Sequence, residues 1–294
     1  MVHSRKLFDK IGYGIIFVAL TIIAIMCLYP IVYILAVSLS DKAAAEAGMV
    51  TIYPIGFTLS SYKRIMQDTR FFGSFFISIK RVILGGGLQF IFTSLMAFSL
   101  SRSKKEFKLR DIYMWFLIFT MIFSSGLVPY YMTIKSYGLM DSIWALVLPS
   151  AVPVYNVILL MNFFKNVPKE IDEAAKIDGA GPWIMLVIIY LPISLPALAT
   201  VTLFSIVGHW NGFFDGLIFM NRTENYPLAT YIQTLIVQPS LTNLSSSDIK
   251  EISKISQKTM NSAKIFVSLL PILIIYPFFQ KYFVNGIMLG SVKE

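Results

Sequence analysis

The sequence predicts an all-α membrane protein with six transmembrane helices, and three observations carry that prediction. Of 294 residues, 56% are hydrophobic and only 14% are charged, and the mean hydropathy is +0.70, values outside the range of soluble domains of this size. Apolar runs of the length that a hydrocarbon layer about 30 Å thick demands recur along the chain. Many basic residues flank those runs, where a basic bias sets orientation and meets anionic lipid. The formal charge of +9 is therefore read as membrane-flanking charge rather than as a nucleic-acid surface.

The first run, residues 12–39, follows an N-terminal segment 1–11. Its Tyr29-Pro30 leads straight into IVYILAVSLS, without the small-residue cleavage site of a signal segment, so it is read as a retained span. The second, 82–100, is preceded by Lys80-Arg81 and opens on VILGGG. Long basic side chains at a span end fit snorkelling to the headgroups better than ion passage. Gly85-Gly86-Gly87 fit close helix packing, with a hinge as the sharper alternative. Spans at 112–131, 142–164, 183–207 and 263–282 follow, giving a membrane domain over 12–285 and a C-terminal tail over 286–294.

Orientation follows from the short loops. One carries Arg102, Lys104, Lys105, Lys108 and Arg110, another Lys165, Lys169 and Lys176, whereas the connection 135–141 carries only Lys135. Both basic loops and both termini are thereby expected in the cytoplasm. The longer segments 40–81 and 209–262 then lie outside, and they hold enough lysine and arginine to erase the bias if counted. Within the second, Ile249, Ile252 and Ile255 predict a short amphipathic surface helix. Cys27 is the single cysteine and His3 and His209 the only histidines, so neither a disulfide framework nor a cysteine–histidine metal cluster can be assembled.

EIDEAAKIDGAGPWIMLVIIYLP interrupts the apolar pattern with a short acidic helix over 167–179, about 12 residues and about 18 Å long at ~1.5 Å per residue. Pro168 suits the first helical position, and Glu170, Asp172 and Glu173 complement the positive end of the helix dipole. Asp172 and Lys176, four apart, can pair. Gly179 ends the helix and Pro182 starts the next. Val167, Ile171, Ala174 and Ala175 form a shallow apolar side, which suits either a groove in another protein or a solvated connector. In the fifth span, Pro192 and Pro196 deprive the carbonyls of Ile188 and Pro192 of their helical partners. That favours a place in the bundle interior, as a gate or as a packing kink.

Glu173-Ala174-Ala175, Asp178-Gly179-Ala180 and Leu191-Pro192 resemble, in type and spacing, the EAA loop of ABC importer permeases. With HWNGFFDGLIF and YPFFQKYFVNGIMLGSVKE, the whole chain resembles the smaller permease of maltose-type carbohydrate importers, the last stretch being most similar to permeases for complex oligosaccharides or polysaccharide fragments. The resemblance implies a type I ABC importer permease (MetI-like) fold in a bacterial plasma membrane, with residues 167–179 as a coupling helix seated in an ATPase subunit. Glu173 would be the charged anchor, Ala174 and Ala175 the close-packed face and Gly179 the turn, with Asp178 and Ala180 also in the ATPase-coupling site. Pathway or gate roles fall to Pro192, Pro196, Trp210, Asn211 and Phe213, although an aromatic belt also explains Trp210 and Phe213.

The implied partners are a second, unlike permease subunit, two ATPase subunits, an extracellular or periplasmic solute-binding protein and a carbohydrate. The chain has no G-x-x-x-x-G-K-[ST] phosphate loop, so it is expected to bind no cofactor itself, with ATP and Mg on the ATPase subunits. An ion-gradient carrier would need ionisable residues in mid-span and commonly shows internal repeats. An intramembrane enzyme would need a catalytic constellation. The sequence offers neither.

Overall fold

The computed structural model describes residues 2–237 and 256–291. The helices, in chain order, are α1 (Val2–Ser38), α2 (Lys42–Glu46), α3 (Ser60–Met66), α4 (Thr69–Ser101), α5 (Arg110–Ile122), α6 (Leu127–Ser136), α7 (Ile143–Val147), α8 (Val154–Lys165) and α9 (Lys169–Ile177). After these come α10 (Pro182–Ile193), α11 (Leu195–Asn211), α12 (Phe214–Phe219), α13 (Leu228–Val237) and α14 (Gln257–Ser291). The chain folds as two units, residues 1–69 with 234–269 and residues 70–233 with 270–294. The expected helix around Ile249, Ile252 and Ile255 lies outside the described residues.

In the first unit α1 is exposed along its apolar length, from Ile15 to Leu28, as a helix solvated by lipid or covered by another chain would be. Only its end is packed, with Ala36 and Val37 against Ala44, Ala45 and Val50. Asp41 caps α2 by accepting the Ala44 N–H at 2.8 Å, and Ser38 shares a hydrogen bond of 2.7 Å with the Tyr62 hydroxyl.

Two apolar cores of the second unit lie among the described residues. Ala97, Phe98 and Leu100 of α4 meet Val157, Leu160, Met161 and Phe164 of α8, Met185, Leu186 and Tyr190 of α10, and Ala197, Leu198 and Val201 of α11. At its centre Phe98, Phe164 and Tyr190 pack edge to face in all three pairs, the arrangement that aromatic quadrupoles favour. A second core joins Ile134, Ala145 and Leu146 to Phe219 and Met220. Asp141, at φ +60, fastens this region by accepting the N–H groups of Asn221 and Arg222, each at 3.2 Å.

Among the described residues, three helices are long and apolar enough to cross a membrane, at 9–38, 69–101 and 257–281, and three bent pairs raise the number to six if each pair is one span. Three of the expected spans are bent pairs, of which the break at Pro192 and Pro196 is the one that the prolines predict. The run 112–131 breaks between α5 and α6 with a bend of 115°, because Phe123 is extended and Gly126 sits at φ +79. Residues 142–164 bend by 43° where Pro149 and Pro153 interrupt the ladder. Residues 183–207 bend by 87° between Pro192 and Pro196, just after a π-helical stretch over Met185–Tyr190. The second span is also longer than its apolar run: α4 starts at Thr69, so part of the segment expected outside is a continuation of the helix.

Gly85 of α4 is where two helices touch. A Cβ there would lie 2.3 Å from His209 Nε2, whereas one on Gly86 would meet nothing within 4 Å. Alanine normally stabilises a helix by about 1 kcal/mol over glycine, so Gly86→Ala is expected to preserve or raise the thermal stability of the purified protein, and Gly85→Ala to lower it by forcing the buried imidazole aside. Equal melting temperatures for the two variants would contradict this packing.

Candidate functional site

The acidic helix α9 has nine residues, fewer than expected. Pro168 is its N-cap, at φ −55 and ψ 138, rather than its first helical residue, and Val167 lies outside the helix, in a bend where its N–H donates to the Phe164 carbonyl at 3.3 Å. The other end is the turn that the glycine predicts. Gly179 has φ +78, its N–H donates to the Lys176 carbonyl at 3.1 Å, and the Ala180 N–H donates to the Ala175 carbonyl at 2.9 Å. This paired closure satisfies the carbonyls that a helix end leaves free and requires a left-handed residue that glycine adopts without strain. Gly181 and Pro182 then start α10.

Asp172 fastens this short helix to the rest of the unit. Its carboxylate takes Arg102 Nη1 at 2.6 Å, the Tyr190 hydroxyl at 2.9 Å and Lys176 Nζ at 2.8 Å. Lys176 also pairs with Glu106, which accepts the N–H and hydroxyl of Ser103, each at 3.1 Å. The Arg102 guanidinium lies 4.5 Å from the ring centroids of both Phe98 and Tyr190, a cation–π arrangement on two sides. Arg102 directly follows α4 and Tyr190 belongs to α10, so α9 is bonded to two long helices.

Desolvation alone would raise the Asp172 carboxyl, but the hydrogen bonds from Lys176, Arg102 and Tyr190 outweigh it and hold the group below its ordinary value. Hydrogen bonds to Asp172 and Glu106 raise Lys176, and the one from Lys176 lowers Glu106. The expected Asp172–Lys176 pair is thus present. Arg102, Glu106 and Tyr190 were not expected here, since they lie far from Asp172 in sequence and Arg102 was legible only as an orienting charge.

On the outer side of α9, Glu173, Ala174 and Asp178 are exposed and Ile177 is 86% exposed. Ala175 does not share that side. It is buried within the chain, and Ala180 packs against the first core, so the expected paired alanine face is reduced to Ala174.

The five residues expected along a pathway are dispersed. Pro192 is exposed and Pro196 half-buried on either side of the fully buried Ser194. Trp210 is buried edge-on against Phe75 at 5.6 Å. Asn211 and Phe213 are exposed. None of them lines the cavity of about 350 Å³ that lies among α4, α6, α8, α11 and α12.

That cavity is walled by Arg81 and Gln89 of α4, Tyr130 of α6, Asn156 of α8, Phe204, Ser205 and His209 of α11 and Asp215 of α12. The expectation that Arg81 snorkels is wrong. Its side chain is 4% exposed, it forms an ion pair with Asp215, and its Nη1 donates to the Gly212 carbonyl at 2.8 Å. Glycine is needed at 212, where a Cβ would come within 2.7 Å of Arg81 Nη2. A buried guanidinium needs such a partner because the lipid interior offers no water to solvate it.

No protein-family model matches the chain. Over 290 residues, 99% of both chains, it is 34% identical to the polygalacturonan/rhamnogalacturonan transport system permease protein YtcP of Bacillus subtilis (strain 168). The chain belongs to the permease subunits of carbohydrate ABC transporters. A solved chain similar to this one is found in the crystal structure of a bacterial ABC transporter involved in the import of the acidic polysaccharide alginate. This chain matches it with a TM-score of 0.85 and 32% identity, covering 94% of this chain and 97% of that one. A further match, to bacterial alginate ABC transporter in complex with alginate pentasaccharide-bound periplasmic protein, has a TM-score of 0.55 at 16% identity and shows the fold alone.

The attachment of α9 in this permease has a defined pH dependence. Asp172 is lowered from 3.8, so its contribution is complete above that value and is lost as pH falls through the lowered one. Lys176 is raised from 10.5, so its contribution is complete below 10.5 and is lost only as pH rises through the raised value. Hydrogen-exchange protection of α9 is therefore expected to be level through neutral pH and to fall in acid. Asp172→Asn, which leaves Arg102 without its carboxylate, is expected to lower that protection at pH 7 by about 1–3 kcal/mol. Wild-type protection in the variant would contradict the attachment.

Proposed function

We propose that this permease subunit carries complex oligosaccharides or polysaccharide fragments into a bacterial cell as half of a translocation pathway. It crosses the plasma membrane six times, with each bent pair forming one span and both termini in the cytoplasm. The other half of the pathway is an unlike permease subunit, two ATPase subunits supply the energy, and an external solute-binding protein delivers the sugar. Similarity to a permease named for polygalacturonan and rhamnogalacturonan and to one from an alginate importer supports the substrate class. The absence of a Walker loop from the sequence supports placing ATP and Mg on the partner subunits.

The observation that carries the mechanism is the outward-facing, internally anchored helix α9. Glu173 and Ala174 face away from the chain, available to a groove on an ATPase subunit, with Glu173 as the charged anchor and Ala174 permitting close approach. Asp178, Gly179 and Ala180 form the turn on the same helix, and the buried Ala175 acts within the permease by supplying the carbonyl that the turn closes on. When the ATPase subunits close on ATP, α9 is displaced. The turn at Gly179 passes that displacement to α10, and the Asp172–Arg102 pair passes it to α4. The breaks at Pro192, Pro196 and Ser194 let the two ends of the fifth span move by different amounts, and Trp210, Asn211 and Phe213 sit at its outer end.

Gly179→Asp places a side chain at φ +78, where left-handed backbone costs about 1–2 kcal/mol. Reconstituted complex carrying this variant is expected to remain assembled in the membrane and to lose ATP-dependent oligosaccharide uptake. Wild-type uptake by the variant would contradict the coupling role, and wild-type uptake without the ATPase subunits would favour an ion-gradient carrier.

A further inference from the structure

We infer that the cavity between Arg81 and Asn156 is a saccharide-contact site of this subunit's own, one that binds hydroxyl groups of a sugar unit rather than a carboxylate or a metal ion. The inference rests on the importer reading above and adds to it a place and a chemistry of recognition within this chain.

Position comes first. Arg81 lies about 18 Å along α4 from Thr69 and Gln89 about 18 Å from Ser101, at ~1.5 Å per residue, so the cavity flanks the middle of a helix that is long enough to span. Polar side chains at such depth are costly unless they line a cavity or pathway. Here five of them, Arg81, Gln89, Asn156, Ser205 and His209, are buried and border one space.

The second step is the chemistry that this lining leaves unused. Gln89 Nε2 donates to the Ser150 carbonyl at 2.7 Å, and Asn156 Nδ2 donates to the Val201 carbonyl at 3.2 Å and to Ser205 Oγ at 3.3 Å. A backbone carbonyl only accepts, which fixes the orientation of both amides. Their oxygens are the spare ends, two acceptors held in rigid positions. Arg81 pairs with Asp215 through its Nη atoms, so the pair carries no net charge for an anion or a cation, although Arg81 Nε and His209 Nε2 are buried without a hydrogen-bond partner. At the mouth stand the Phe204 ring, 45% exposed, and Tyr130, 38% exposed.

Fixed acceptors, a phenol hydroxyl and an apolar ring, around about 350 Å³, complement a ligand that is rich in O–H donors and has one apolar face. A sugar ring has that character. A uronate carboxylate would face acceptors like itself, and a metal ion would sit beside a guanidinium.

The test uses the complete importer, with its binding protein and ATPase subunits, in liposomes supplied with an enzymatic digest of rhamnogalacturonan, galactan and arabinan, and lumenal sugars read by mass spectrometry. Tyr130→Phe keeps the ring on Phe219, 5.3 Å between centroids, and removes only the hydroxyl. Gln89→Leu removes one acceptor together with the cap on the Ser150 carbonyl. Each is expected to slow uptake at subsaturating sugar by about fivefold, the range of one neutral hydrogen bond, while binding-protein-stimulated ATP hydrolysis stays at the wild-type rate. Unchanged uptake in both variants would overturn the site and leave a water-filled cavity. A parallel loss of ATP hydrolysis in both would overturn it in favour of a structural role. If the wild-type complex imports no sugar from the digest, the importer reading fails and the site with it.

Discussion

A nine-residue helix is too short to be stable alone in water, and α9 exposes Ile171 and Ile177 as well. What holds it is one carboxylate. Asp172 accepts from an arginine at the end of one long helix, a tyrosine on another and a lysine one turn away. Three donors outweigh the desolvation that alone would raise its pKa. The geometry is specific to arginine, whose planar guanidinium bonds Asp172 while its faces meet Phe98 and Tyr190. A lysine ammonium could supply the charge but not that stacked plane. Without this junction α9 would keep only the Lys176–Glu106 pair, the burial of Ala175 and its chain connections to α8 and α10, and would lose its bonds to Arg102 and Tyr190.

The same principle governs the interior. Each of the bent pairs opens backbone or brings polar side chains into a region that lipid cannot solvate. The permease answers within its own second unit. Arg81 caps the Gly212 carbonyl, Gln89 caps that of Ser150 and Asn156 caps that of Val201. The breaks and the buried polar residues thus belong together, and the cavity is the space they enclose. Glycine permits close approaches beside the cavity, at Gly85 beside His209 and Gly212 beside Arg81.

Features set by neighbouring residues were legible in the sequence. Apolar run length gave the helices, and Gly179 and Pro182 marked the turn between α9 and α10 because their backbone preferences act locally. Asp172 and Lys176 pair because the helix sets them four apart. Features set by distant residues were not legible. Arg81 and Asp215, or Arg102 and Asp172, meet only after the helices pack, so Arg81 read as a snorkelling flank and Arg102 as an orienting charge. Adjacent Ala174 and Ala175 looked like one face, yet a helix turns about 100° per residue, enough to bury one and expose the other. The break at residues 123–126 escaped notice because its Ser-Ser-Gly is brief within an apolar run, whereas Pro192 and Pro196 announced theirs.

The claim most directly open to test is that α9 presents its outer side to an ATPase subunit. Ile177, 86% exposed, is the natural reporter, replaced by cysteine in a Cys27→Ser background and treated with a bifunctional thiol reagent in the assembled complex. The account predicts a cross-link to the ATPase subunit whose yield changes when ATP is added. Labelling of that cysteine only by reagent applied from the outer face, with no cross-link to an ATPase subunit in any nucleotide state, would contradict it.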